Sequence, residues 1–186
     1  MPKNTPSTDL HTMLSDRIDM NDIHAICCYT QGRENDARKE ELYRVMMDDE
    51  GRAGGNAAWI FSHFALAENE WLYSKQQELI DAVMCTKSTT KRRIMMVLLE
   101  RQPFTVSGFR ADYLDFCLEH MAMLEEPYGV RPLCMKQAFV QCSLVSELLP
   151  ELEATLELMD DNFLSPGLRT AKRNILKKMR EIRKNL

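Results

Sequence analysis

Four apolar centres, Ile60, Leu98, Ala138 and Ile175, follow one another along the chain at intervals of 38, 40 and 37 residues. Each lies in a segment of helical periodicity that opens after a break (Gly51, Ser88, Gly129 and Pro166), and another helical segment precedes each break. A near-constant period of about forty with two helices per unit marks a repeat architecture. The physical reason is burial. One helix pair cannot enclose its own apolar face, so neighbouring pairs stack and share an elongated core. The competing arrangement for the same helices is a non-repeating bundle.

Local signals agree on helix. Apolar residues recur at i, i+3, i+4 and i+7 in stripes such as Ile60, Phe61 and Phe64, or Leu148, Leu149, Leu152 and Leu156. Asp36, Asn69, Ser88 or Thr89, and Asp112 are predicted helix starts. Ser165-Pro166 joins an N-cap to a proline at the first helical position, where its missing N–H costs nothing. Seven Gly and seven Pro in 186 residues are too few turn formers for an all-β chain. Residues 1–20 are expected as a loosely ordered N-terminal extension holding at most one short helix, between Asp9 and Ile18. Residues 21–186 are expected as a single helical-repeat domain.

Met1 to Asp19 contain no apolar stretch of the targeting kind. The longest apolar run, Ile94 to Leu99, falls far short of the ~20 residues of a bilayer span, so no membrane role and a cytoplasmic location are expected. The six cysteines, at 27, 28, 85, 117, 134 and 142, then read as reduced thiols packed in the core.

From about residue 36 onward this pattern resembles the HEAT and armadillo class of helical repeats. Val130-Arg131 and Leu168-Arg169 approach the Asp–Val–Arg opening that such repeats show in their second helix. The resemblance implies an all-α fold, a right-handed α-solenoid of stacked antiparallel helix pairs, with the second helices lining a concave face.

Charge divides along the same lines. The second helices, counted as residues 51–66, 88–102, 129–146 and 165–186, together carry +13, while the rest of the chain carries −17, for a net −4. Combined with the resemblance, this implies a comparatively basic inner face and an acidic back. A basic strip can attract an anionic partner, or can simply solubilise the molecule and cap its last repeat.

No residue set amounts to a catalytic centre. The four histidines are scattered without an HxxxH or CxxC partner, and Cys117 with His120 supplies only two metal ligands. Gly54-Gly55 lacks the Lys-Ser/Thr of a phosphate loop. No metal and no cofactor are expected. The expected function is a non-enzymatic scaffold that binds a protein or peptide on its concave face. Its contacts are expected from Asn56, Trp59 and His63 in one second helix and Arg92, Arg93 and Met96 in the next. Arg131 and Lys136, then Arg169 and Arg173, complete the set. The alternative is a nucleic-acid-binding protein similar to the HEAT-like DNA alkylation-repair glycosylases, with Arg92, Arg93 and Arg131 against phosphates. Met46-Met47 and Met95-Met96 are not expected to face inward together, which would leave thioethers on an adaptable binding surface.

Overall fold

Several helices begin where the chain supplies a side chain to receive their first amides. Asp19 and Asp22 form a reciprocal capping box at the start of Met20–Thr30. The Ser88 hydroxyl accepts the Lys91 amide at 3.3 Å, and that of Ser165 accepts the Leu168 amide at 3.4 Å. The computed structural model describes residues 9–184. Every regular element among them is an α- or 3-10 helix.

Ten α-helices appear among the described residues: α1 Leu10–Ser15, α2 Met20–Thr30, α3 Asp36–Asp48, α4 Arg52–His63, α5 Gln76–Cys85, α6 Thr89–Glu100, α7 Ala111–Ala122, α8 Arg131–Leu144, α9 Leu149–Leu158 and α10 Pro166–Lys184. They belong to two compact units, Met1–Gln102 and Pro103–Leu186. In the first, α3 packs on α4, α5 packs on α6, and α4 lies against α6. In the second, α7 packs on α8 and α10 packs on both α8 and α9.

Of the segment expected as a loose extension, residues 1–8 lie outside the described residues. From Asp9 onward it is folded. Leu10 and Leu14 of α1 are buried, and α1 packs on α3 and α4.

Two local expectations give way to tertiary packing, and a third is met in part. Asn69 does not start a helix. Leu66–Lys75 runs as 3-10 helix, and the buried Asn69 amide instead donates to the Phe64 and Ala65 carbonyls at 3.3 and 3.2 Å, closing the end of α4. Met95 and Met96 both face inward, each fully buried, because α6 is covered by α4 on one side and α5 on the other. A helix enclosed on two sides has no single buried stripe, and each of its large apolar side chains contributes about 1.5–3 kcal/mol on burial. Finally, Cys27, Cys117, Cys134 and Cys142 are buried as expected of core thiols, but Cys28 and Cys85 are exposed. Cys28 follows Cys27 by one residue and so turns about 100° away from the packed face of α2.

Candidate functional site

The last carbonyls of a helix lack partners and carry the negative end of its dipole, so a donor, best of all a cation, is favoured there. In this chain such donors come from the second helix of a pair, again and again. Asn56 of α4 donates to the Leu14 and Asp16 carbonyls at the end of α1, at 2.8 and 3.0 Å. Lys91 of α6 reaches the Met47 and Asp49 carbonyls at the end of α3, at 3.4 and 3.0 Å. Arg92 of α6 donates to the Val83 and Thr86 carbonyls that end α5, at 3.1 and 2.7 Å. In the second unit, Arg131 of α8 holds the Met121 carbonyl of α7 at 3.0 Å, and Lys172 of α10 holds the Met159 carbonyl just after α9 at 2.7 Å.

This arrangement sorts the residues expected to bind a partner. Arg131 is 1 % exposed and Met96 is wholly buried. Both act inside the protein, the first as a helix cap and the second as packing, because each side chain lies on the side of its helix that faces its neighbours. Asn56 and Arg92 are half-buried with their donors engaged in capping. Trp59 is half-buried, while His63, Arg93, Lys136, Arg169 and Arg173 are exposed.

Sequence reasoning missed Lys91 altogether. It is 1 % exposed, and its ammonium also meets the Glu50 carboxylate at 2.9 Å. Glu50 in turn accepts the Thr86 hydroxyl at 2.7 Å and the Lys87 amide at 3.0 Å. Partial burial pushes the Glu50 carboxyl up. The hydrogen bonds from Lys91, Thr86 and Lys87, with the Lys91 charge, outweigh it and hold the group at about 2, below its ordinary 4.5. A carboxyl depressed on folding stabilises the protein above its unfolded value, and that contribution is lost as pH falls through the folded one. The wild type should therefore lose about 1 kcal/mol more than Glu50→Gln between pH 7 and pH 3, once solvent screening of this half-exposed side chain is allowed for. Urea denaturation of both proteins at the two pH values measures the difference.

Exposed cations line a cleft in the first unit and a groove in the second. In the first unit α4 and α6 leave a cleft of about 480 Å³ lined by Arg52, Gly55, Asn56, Trp59, Thr90, Arg93 and Ile94, together with Gly51 and Ser88. The amino ends of both helices open onto it, at Gly51 and Ser88. Arg52 and Arg93 are exposed and make no ion pair among the described residues. The Trp59 indole is braced by His63, whose ring meets it edge-on at 5.5 Å between centroids and whose Nδ1 lies 3.0 Å from the Trp59 carbonyl. In the second unit Arg169, Arg173, Lys177 and Arg180 lie along α10. Among the described residues no group of three or more His, Cys, Asp or Glu could hold a metal ion. No helix among them is long and apolar enough to cross a membrane.

Within each unit, packed helices tied by capping donors make an all-helical fold. The chain belongs to the HEAT repeat family: the model of the HEAT repeat domain matches residues 10–179, nearly its whole length, including the short α1. Compared with curated proteins and with solved structures, it finds no match.

Proposed function

We propose that this scaffold binds a protein or peptide partner through the exposed face of its second helices, with the α4–α6 cleft as the principal contact. Within each unit the pairs take the antiparallel, right-handed stacking that the family implies, and the protein works in the cytoplasm. The observation that carries the binding role is the composition of the cleft. A half-buried tryptophan held by His63 lies beside two arginines without ion pairs and two helix amino ends. Tryptophan and arginine are the side chains on which interface energy concentrates. The Asp49 carboxylate already holds the amino end of α4, and the positive end of the α6 dipole favours a second carboxylate over any neutral group. The fitting ligand is an acidic segment carrying one bulky apolar residue.

Gly55 allows a clean test, since a Cβ there would meet nothing within 4 Å. Gly55→Leu fills the cleft without disturbing the core. Peptides selected by display on the wild-type chain should be rich in Asp and Glu around an apolar residue. Their affinity should fall at least about tenfold in Gly55→Leu and in Arg93→Glu. Selection that yields only peptides indifferent to both substitutions would refute the reading.

A further inference from the structure

The exposed face of α10 breaks two rules that a solubilising surface would obey. Arg169, Arg173, Lys177 and Arg180 fall within one 80° sector of the helix and form a row about 17 Å long. Like charges four residues apart repel by about 0.2–0.5 kcal/mol per pair, so a face needing only water would interleave acids. The first turn of α10 holds no acidic residue, and Arg169 and Arg173 stand in its first half, towards the positive end of the helix dipole. The neighbouring cations differ. Lys172 binds Asp161 at 2.7 Å, Arg183 binds Glu153 at 2.5 Å, and Lys178 lies over the Phe139 ring. Arg169, Arg173 and Arg180 make no ion pair among the described residues, and Lys177 has only Glu181 of its own helix at 3.9 Å. Local energetics sacrificed on four successive turns point to a ligand that supplies the missing negative charge.

We infer that this row binds the phosphate backbone of a nucleic acid, independently of the α4–α6 cleft and of whatever the cleft holds. A protein partner is the poorer fit. The groove along the row contains no aromatic residue, and Leu176, half-buried, is its main apolar side chain, whereas protein interfaces are anchored by desolvated aromatic and apolar groups. Phosphates need no such anchor. Along one strand of a duplex they recur every ~3.4 Å of helix axis, so a row of this length spans about five of them and can neutralise three or four. Contacts to phosphate fix position and carry no sequence information of their own.

Fluorescence anisotropy with a labelled 20-mer DNA duplex and an RNA strand of equal length tests this on the full chain. For three or four phosphate contacts, duplex affinity should fall about 40- to 150-fold between 50 and 200 mM salt. Arg169→Ala/Arg173→Ala/Arg180→Ala keeps the helix and should flatten the salt dependence by nearly three units of its logarithmic slope. Arg93→Glu should change nothing, which separates this site from the cleft. A circular dichroism spectrum matching the wild type shows that the triple variant is folded; should it fail to fold, Arg173→Gln alone must lower the slope by about one. The relative affinity of the DNA and RNA probes identifies which polymer is preferred. No binding of either at 50 mM salt would overturn the inference, as would binding untouched by the substitutions. Equally tight binding of poly-glutamate to the same arginines would also overturn it, in favour of an acidic protein.

Discussion

Lys91→Ala is expected to lower the stability of the first unit by about 3 kcal/mol, among the largest effects of any single substitution in the chain. The ammonium is almost completely enclosed and serves three acceptors at once, the Met47 and Asp49 carbonyls and the Glu50 carboxylate. Truncation leaves the end of α3 without a donor and Glu50 without its counter-charge. Removing one member of a buried pair costs about 3–5 kcal/mol, and the half-exposed Glu50 places this case at the lower end. Lys91→Met keeps the stem and its packing, so it should recover part of the loss but not the capping of α3. Both tryptophans of the chain, Trp59 and Trp71, lie in the first unit, so urea unfolding followed by their fluorescence reads this unit by itself. A loss of unfolding free energy below about 0.5 kcal/mol would show that water replaces the ammonium at no cost.

Gly54→Ala and Gly55→Ala should move stability in opposite directions although the residues are adjacent. A Cβ at Gly54 would overlap the backbone carbonyl oxygen of Asp49, whose own side chain accepts the Gly54 amide at 3.1 Å. Neither group can yield by rotating a side chain, because one is main chain and the other is the cap of α4. That carboxylate is held below its ordinary range first by the Gly54 amide, then by His11 and the Gly51 amide against partial burial. Gly54→Ala should therefore cost about 3 kcal/mol, towards the upper end for overpacking. At Gly55 the new methyl enters open space, and replacing a helical glycine stabilises by about 0.5–1 kcal/mol. The same fluorescence-monitored unfolding measures both. Equal shifts of one sign would contradict the close approach of α4 to the end of α3.

The contrast at Gly54-Gly55 shows where the sequence stops being informative. Helix existence and the caps at Ser88 and Ser165 are local facts, encoded in residues a few positions apart, and they were readable. Which of two glycines touches Asp49 depends on how α4 crosses α3, and no pattern along α4 records that. Charge behaved in the same way. Counting cations on second helices correctly found the asymmetry but could not divide it. Lys91, Arg92 and Arg131 find their acceptors on backbone carbonyls, which every residue possesses and which therefore leave no trace in composition. Trp59, Arg93, Arg169 and Arg173 were named from the sequence because a surface residue at helical spacing can be placed on a face. Met96 was misplaced for the reason that Met95 and Met96 are both inside: α6 has neighbours on two sides.

Those carbonyl-seeking side chains carry a further implication. A main-chain oxygen is chemically the same whatever residue bears it, so through these bonds Asn56, Arg92, Arg131 and Lys172 respond to where α1, α5, α7 and α9 stop. The outward-facing positions of α1, α5, α7 and α9 can drift in sequence without loosening these ties, while insertion of even one residue before their ends would break them. At those outward positions length, rather than identity, is what inheritance has to preserve.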